Sequence, residues 1–283
     1  MLRPVVWDSC RAKRDPFHRY ITLNDRDVTR ARPLASLGHI TRSGLANCTA
    51  APASPSGNVK VVSYNVLSDS LGRPSHYIHS AKEDCNAKIR LGRVKQQLEV
   101  QMQKGAIICL QDVSRKWGAQ LVPFFTEHGY TYAAALTGSK FGGYMGQCVE
   151  WPTGVYSVQD VDASRISDTV RWGRKPAVEP SLWARLLDVF GLITKPSKPS
   201  FNPWAKAQQR HNSAVLVRLV ENCSGKQFVV GTYHMPCLFG SDIKCQTMVA
   251  HAVLLMQHAQ RWAGGDPLVV SGDFNIQPNT PMH

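Results

Sequence analysis

The sequence predicts an α/β fold with parallel strands, because it contains a strand–helix–strand segment and because polar residues follow its strands. Two apolar segments, residues 59–66 and 106–110, are typical of buried strands. Residues 86–104 have helical spacing and are followed by Gly105, a residue type that commonly ends helices. The apolar positions of this helix are Ile89, Val94, Leu98 and Met102. A strand, a helix and a strand in this order form a right-handed crossover, which makes the two strands parallel.

Further helices and strands are predicted along the rest of the chain. Helices are expected at residues 117–128 and 243–262. The apolar side of the second helix is expected to carry Val249, Val253, Leu254 and Met256. Strands are expected at residues 130–135, 153–158, 212–219, 227–233 and 267–271. The third and fourth of these are joined by a turn at residues 222–225 and are expected to pair antiparallel.

Residues 1–58 differ in composition from the rest of the chain. They are rich in arginine, lack a sustained apolar period and end in a stretch of Ala, Pro and Ser. Three interpretations stay open: a mitochondrial transit peptide, a disordered basic arm, and an extension peculiar to this protein. Arg and Ser favour the transit peptide, while four aspartates oppose it. The folded domain is expected at residues 59–283, with a Pro- and Arg-rich insertion at about residues 171–209.

Composition narrows the classes of partner and compartment. The chain has 33 Lys and Arg against 20 Asp and Glu, a net charge of +13, and basic proteins attract polyanions, most commonly nucleic acid. No run of about 18 apolar residues is present, so no membrane partner is expected. The eight cysteines include no Cys-x-x-Cys pair, and Cys109 is expected in the core. We expect an intracellular, reducing location, with cytoplasm and mitochondrion both open.

Polar side chains follow the predicted strands at their carboxyl ends. Asn65 and Asp112 follow the first two strands, His234 follows the hairpin, and Asp273 and Asn275 follow the last strand. In α/β folds, ligands bind where strand ends converge. Magnesium prefers oxygen ligands, usually one or two carboxylates completed by water and substrate phosphate. The sequence therefore predicts a hard-cation site at these strand ends.

Four short motifs carry a resemblance to a known family. They are Ser-Tyr-Asn-Val-Leu at 63–67, Cys-Leu-Gln-Asp-Val at 109–113, Thr-Tyr-His-Met-Pro at 232–236 and Ser-Gly-Asp-Phe-Asn at 271–275. Their order and spacing resemble the endonuclease/exonuclease/phosphatase (exonuclease III and DNase I-like) superfamily, most closely its deadenylase, nocturnin, Angel and 2′-phosphodiesterase branch. The resemblance implies a two-sheet, four-layer α/β sandwich of the DNase I-like type.

The resemblance also implies a role for each strand-end residue. Asn65 and Asp112 are expected to hold Mg²⁺, with Mn²⁺ as a second candidate. Asp273 is expected to orient or activate the attacking water, and Asn275 to help place the water and the phosphate. His234 is expected to donate a hydrogen bond to a phosphate oxygen in the transition state.

Each of these residues also has an ordinary structural interpretation. Asn65 suits a strand-end cap, and Asp112 suits the N-cap of the following helix. His234 suits a hydrogen-bonded core histidine, while Asp273 and Asn275 suit a turn. Singly these interpretations are reasonable, but together they require the family order to arise by accident.

Two features depart from the family pattern. Asp112 stands where the family carries Glu, and the shorter side chain predicts weaker metal affinity. The family's final Ser-Asp-His motif is absent, and residues 279–282 resemble the first turn of a helix, with Thr280 as N-cap and Pro281 next. We therefore expect a sandwich that lacks its C-terminal strands, from a truncated gene model, a fragment or a decayed pseudoenzyme.

The resemblance implies a Mg²⁺-dependent phosphodiesterase that hydrolyses RNA, of the 3′-to-5′ exoribonuclease (deadenylase) type. Aromatic residues of the insertion are available for base stacking or for packing against the domain. They are Trp172, Trp183, Phe201 and Trp204. The alternatives are a small-molecule nucleotide phosphatase and a catalytically inactive RNA-binding or scaffold homologue. Asp112 and the absent final motif favour the inactive homologue, whereas the four retained strand-end residues oppose it.

Overall fold

The computed structural model describes residues 59–136, 145–173 and 202–276, which contain eight strands and four α-helices. The strands are β1 (Val61–Asn65), β2 (Ile107–Val113), β3 (Tyr130–Ala135), β4 (Gly146–Pro152), β5 (Tyr156–Arg165), β6 (Ser213–Glu221), β7 (Gln227–His234) and β8 (Leu268–Asp273). The helices are α1 (Ala87–Met102), α2 (Arg115–Glu127), α3 (Pro203–Gln208) and α4 (Asp242–Ala263). Short 3-10 helices lie at Lys82–Cys85 and Ile166–Asp168.

The strands form two mixed four-stranded sheets. The first has the order β1-β2-β4-β3 and the second has the order β5-β6-β7-β8. In each sheet one pair is parallel, β1 with β2 and β7 with β8, and the other pairs are antiparallel. The carboxyl ends of β1, β2, β7 and β8 are therefore the places where polar residues from both sheets can meet.

The two sheets stack face to face and are covered by helices on their outer sides. Apolar side chains of both sheets share one large buried cluster, which also takes in the apolar sides of α1 and α2. Two smaller clusters join α4 to the second sheet. This gives the helix–sheet–sheet–helix layering of a four-layer sandwich. Strand β2 is buried along its whole length, as expected of a strand covered on both faces.

The parallel β1–β2 pair, the β6–β7 hairpin and the three predicted helices, found as α1, α2 and α4, are confirmed. Helix α1 begins after Asn86, whose side chain accepts from two backbone N–H groups of the first turn, and it is followed by Gly105 with φ of 66°. Cys109 is fully buried, and burial raises the pKa of its thiol to about 12.

Three expectations about elements were wrong. The strand expected at residues 153–158 is instead a turn followed by β5, which runs on to Arg165, and β4 was not predicted. Ile89 is 40% exposed, and Leu91 lies in the core in its place. The face expected to be buried on α4 is largely exposed. Its residues Val249, Val253 and Met256 are exposed by 46%, 40% and 40%, and only Leu254 is buried.

Several predictions concern residues outside the described part of the chain. They are the extension at 1–58, most of the insertion at about 171–209 with the aromatic residues Trp183 and Phe201, and the helix start at 279–282. Within the described residues, no helix is long and apolar enough to cross a membrane.

Candidate functional site

Asn65 is the last residue of β1, and its side chain reaches across to the second sheet. Its Oδ1 accepts a 2.8 Å hydrogen bond from the Leu67 N–H, which closes a turn directly after the strand. Its Nδ2 donates to Asp273 Oδ2 at 3.0 Å. The structural role expected of Asn65 is therefore present, and the same side chain also links the two sheets at their carboxyl ends.

Asp112 lies in a β-bulge. The pairing of β2 with β4 shifts between Leu110 and Val113, where β2 has one residue more than β4, and Asp112 has a φ of 59°. A bulge redirects the side chain, and Asp112 turns into the buried site, where it is 3% exposed. The N-cap interpretation of Asp112 is wrong, because Ser114 caps α2 through the Trp117 N–H.

His234 ends β7 and sits opposite Asp273 in the parallel pairing with β8. It is 4% exposed, and its carbonyl oxygen accepts from Asn212 Nδ2 at 2.8 Å. Its Nδ1 lies 2.9 Å from Asp112 Oδ1, although neither atom makes a hydrogen bond of good geometry. Its Nε2 lies 3.8 Å from Asp273 Oδ2. The imidazole thus stands between a carboxylate of the first sheet and one of the second.

The turn after β8 places the last two site residues. Asp273 Oδ1 accepts from the Asn275 N–H at 2.9 Å, and Asn275 adopts a φ of 50°. Gly272 precedes them with a φ of 149°, and a Cβ there would overlap the Tyr233 carbonyl oxygen, so this close approach of β7 and β8 requires glycine. Asn275 Nδ2 donates to Met235 O at 2.8 Å and lies 3.1 Å from His234 Nε2.

The structure therefore brings all five sequence-predicted site residues into one cluster. Contacts of 2.9 to 3.8 Å connect Asp112 to His234, His234 to Asp273 and Asn275, and Asp273 to Asn65. Two of the residues come from the first sheet and three from the second. The cluster is largely buried, since the Asp273 side chain is only 13% exposed.

Two carboxylates set the electrostatics of His234. Burial opposes its protonation, but the negative charges of Asp112 and Asp273 outweigh burial and raise the pKa of His234 to about 9. The Asn275 amide, whose NH₂ group faces Nε2, suits a neutral ring that accepts at that nitrogen. The raised pKa has the stronger support, because two carboxylates lie within 4 Å of the ring.

The site offers the types of oxygen ligand that Mg²⁺ binds. Asp112 and Asp273 supply carboxylates, Asn65 supplies an amide oxygen, and the buried Asp112 Oδ1 has no hydrogen bond. Within the described ranges, no group of three or more His, Cys, Asp or Glu residues could hold a metal ion. Water and substrate phosphate would have to complete the coordination, which is usual for this cation.

Sequence reasoning missed residues that hold the site together. Gln111 Nε2 contacts Ser63 Oγ at 3.3 Å in the first sheet and Thr232 Oγ1 at 2.9 Å in the second. Arg90 holds the turn after Asn65 through backbone carbonyls. Gln111 lies inside one of the quoted motifs, so its place beside Asp112 could have indicated it. Nothing in the spacing of α1 distinguishes Arg90 from the helix's other basic residues.

No family model and no curated protein matches the sequence. Among solved structures, the catalytic domain of human nocturnin with bound sulfate is similar with a TM-score of 0.52 and 17% identity, over 79% of this chain and 66% of that one. ANGEL2, described as a 2′,3′-cyclic phosphatase, in complex with adenosine-2′,3′-vanadate, has the same TM-score and identity over 79% and 55% of the chains.

A protein of unknown function from Enterococcus faecalis is similar with a TM-score of 0.50 and 14% identity, over 80% of this chain and 69% of that one. The chain thus spans about two thirds of the nocturnin domain and about half of the ANGEL2 chain. At these identities the likeness concerns the fold. The chain has the two-sheet α/β fold of the nocturnin and ANGEL2 structures, as its motifs led us to expect.

Proposed function

We propose that the protein is a Mg²⁺-dependent phosphodiesterase that hydrolyses RNA from its 3′ end. The observation that carries this proposal is the convergence of Asn65, Asp112, His234, Asp273 and Asn275 into one largely buried cluster, whose members are joined by contacts of 2.9 to 3.8 Å. Ordinary capping and turn roles do not require these five side chains to meet. Their meeting at the carboxyl ends of strands from both sheets is the arrangement that hydrolysis of a phosphate ester needs.

Asn65 and Asp112 are the residues that would hold the cation, with Mn²⁺ as the second candidate. When bound, the cation would supply charge neutralisation at the attacked phosphate and stabilisation of the leaving oxygen. The buried Asp112 Oδ1, which has no hydrogen bond, favours this assignment. Asn65 Oδ1 still has a lone pair for the cation, because the Leu67 N–H uses only one of the two.

The remaining residues act on water and on the phosphate. Asp273 is the carboxylate that orients the attacking water and receives its proton. His234, whose pKa is raised by the same carboxylates, is the donor to a non-bridging phosphate oxygen. The Asn275 amide lies beside Nε2 of that ring and is placed to bind the same phosphate. Because its backbone N–H is tied to Asp273, the two side chains keep a fixed relation.

The net charge of the chain and an exposed aromatic side chain favour RNA as the substrate class. The net charge of +13 attracts a polyanion. Trp172 is fixed by a 2.5 Å hydrogen bond from its indole N–H to Ser167 O, and its ring centroid lies 6.4 Å from that of Trp204. Trp204 is 48% exposed and is available for base stacking. The nocturnin structure holds a bound sulfate and the ANGEL2 structure holds adenosine-2′,3′-vanadate, both oxyanions comparable to phosphate.

A second candidate is a phosphatase of small nucleotides, which the ANGEL2 likeness favours. A third is a catalytically inactive RNA-binding homologue. The 2.9 Å contact between Asp112 Oδ1 and His234 Nδ1 favours the inactive homologue, because each side chain is directed at the other and not at a cation or a phosphate.

The test uses a 5′-labelled RNA with an oligo(A) 3′ end and, in parallel, adenosine 2′,3′-cyclic monophosphate, each with Mg²⁺ or with EDTA. We expect a Mg²⁺-dependent ladder of shortened RNAs. In Asp273→Asn this activity should fall at least 100-fold. The control is Asp160→Asn, which changes an exposed aspartate of β5. Cleavage of the cyclic nucleotide alone would support the phosphatase, and RNA binding without cleavage would support the inactive homologue.

A further inference from the structure

The backbone directly after Asn65 is held by a side chain from outside the cluster. Arg90, on the first turn of α1, donates to the carbonyl oxygens of three consecutive residues. Its Nη2 contacts Val66 O at 2.9 Å and also Leu67 O, and its Nη1 contacts Ser68 O at 3.4 Å. We propose that Arg90 is a positioning residue, which fixes this turn and thereby aims the Asn65 amide at Asp273. The inference rests on the proposed function for its kinetic part only.

The turn needs such a support because its central residue is strained. Leu67 has a φ of 49°, a left-handed conformation that a branched, non-glycine residue rarely adopts. Its N–H donates to Asn65 Oδ1, and its carbonyl oxygen accepts from Arg90. The conformation of Leu67 that lets its carbonyl oxygen accept from Arg90 also directs its N–H to Asn65 Oδ1. Arg90 therefore helps to orient the Asn65 amide. With Oδ1 tied to Leu67, Nδ2 is left to donate to Asp273 Oδ2 at 3.0 Å.

Arg90 is itself fixed in place. Its guanidinium lies over the ring of Trp117, 5.1 Å from the centroid, and that indole, which belongs to α2, is fully buried. Gly72 lies against the guanidinium, and a Cβ at this position would overlap it. A planar, rigid donor fork of this kind suits several carbonyls better than a lysine ammonium does.

The contacts of Arg90 differ from those of an ordinary surface arginine. In the described part of the chain no carboxylate lies within ion-pair distance of Arg90, so its partners are carbonyl oxygens and an aromatic ring. Arg93, three residues further along α1, forms an exposed ion pair with Asp84 at 2.6 Å. The two arginines share a helix and a charge, and only Arg90 contacts the turn after Asn65. Arg93 is therefore a matched control.

The experiment compares Arg90→Met, Arg90→Lys and Arg93→Met with the wild-type chain. The first readout is the NMR resonance pair of the Asn65 side-chain NH₂ group, assigned by its loss in Asn65→Asp. We expect Arg90→Met to move this pair towards the position of a free amide and Arg93→Met to leave it unchanged. The second readout is RNA hydrolysis, in which Arg90→Met should lower kcat 10- to 100-fold with KM changed less than twofold, since misplacement of a site residue acts on the chemical step.

A double-mutant cycle separates positioning from general stability. If Arg90 acts through Asn65, Arg90→Met should have little further effect on kcat in an Asn65→Ala background. An unchanged Asn65 amide resonance in Arg90→Met, or a full additional loss in the double variant, would overturn the proposal. If Arg90→Met does not fold, Arg90→Lys and Gly72→Ala decide the question, because both disturb the guanidinium contacts more mildly. If the wild-type chain cleaves no substrate, the proposed function fails, and the NMR readout still decides the role of Arg90.

Discussion

Three non-glycine residues of the described chain, Leu67, Asp112 and Asn275, have positive φ angles, at 49°, 59° and 50°. Each such conformation costs on the order of 1 kcal/mol and persists only where the surroundings hold it. Asp112 and Asn275 belong to the cluster, and Leu67 binds the side chain of Asn65. Backbone strain and candidate function therefore coincide at the scale of single residues. At Asp112 and Asn275 this backbone goes with side chains that contact His234 inside the site.

Asp112 allows a prediction about metal affinity. Its carboxylate is one methylene shorter than the glutamate of the family pattern, while Mg²⁺ holds its ligands at about 2.0–2.1 Å. Asp112→Glu should therefore bind Mg²⁺ several-fold more tightly, because the longer side chain reaches further from the bulge. Isothermal titration of the chain with Mg²⁺ measures this, with Asp160→Glu as the control for an added methylene on an exposed aspartate. Equal affinities of wild type and Asp112→Glu would contradict the expectation.

At the scale of elements, periodicity predicted where helices and strands lie better than it predicted their buried faces. Helix α4 was correctly expected, but the side that it buries carries Met248, His251, Leu255 and Ala259 beside the expected Leu254. This face mixes large apolar residues with a small one and a histidine, so hydrophobicity alone favoured the more apolar, exposed side. Strand β4 was missed for a related reason, since Gln147 and Glu150 are fully buried polar residues within it. Buried polar residues contradict the pattern by which strands are predicted.

The residues of the candidate site could likewise be predicted from the sequence only in part. Its five main residues could be found because each follows an apolar strand and lies in a short motif. Arg90 could not, because its role depends on contacts with backbone carbonyl oxygens 22 to 24 residues away in the chain. Such contacts follow from the three-dimensional packing of helix and sheet, and single-sequence patterns carry no record of them.

His251 in α4 makes the stability of the second sheet depend on pH. It is fully buried, its Nδ1 lies 2.8 Å from the Tyr233 hydroxyl, and its Nε2 lies 3.1 Å from Ala207 O. Burial, with smaller contributions from Arg210 and Arg165, lowers the pKa of His251 to about 4. The folded state thus prefers the neutral ring. Its stabilising contribution is complete above pH 6.5, the pKa of an unfolded histidine, and is lost as the pH falls from 6.5 towards 4.

We therefore expect the free energy of unfolding to fall by about 2 kcal/mol between pH 7.5 and pH 5 because of this residue. Urea unfolding at the two pH values measures the difference. In His251→Gln the amide can keep both hydrogen bonds but cannot be protonated, so the loss at pH 5 should shrink by that amount. His79→Gln, which changes an exposed histidine, should behave as the wild type. If His251→Gln loses as much unfolding free energy between pH 7.5 and pH 5 as the wild type does, other titrating groups cause the loss.

At the scale of the whole molecule, the candidate site exists only where the two sheets are stacked. The first sheet alone carries Asn65 and Asp112, and the second carries His234, Asp273 and Asn275. Hydrogen bonds from Asn65 to Asp273 and from Gln111 to Thr232 join the sheets at this end. Each half therefore depends on the other for the geometry of the site, so that substitutions at the sheet interface should affect the site as well as stability.

The charge of the whole chain distinguishes the two enzymatic candidates. A net charge of +13 should make RNA binding strongly dependent on salt, because basic residues that contact phosphates release counterions from the polymer. We expect the affinity for a single-stranded RNA of about 20 nucleotides to fall at least tenfold between 50 and 200 mM KCl. Fluorescence anisotropy with the cleavage-impaired Asp273→Asn variant measures it, and adenosine 5′-monophosphate serves as the control because it has no polymer counterion atmosphere. Equal salt dependence for the two ligands would mean that the protein binds one nucleotide at its cluster and gains nothing from the rest of the strand, in which case a small-nucleotide phosphatase would become the better explanation of the site.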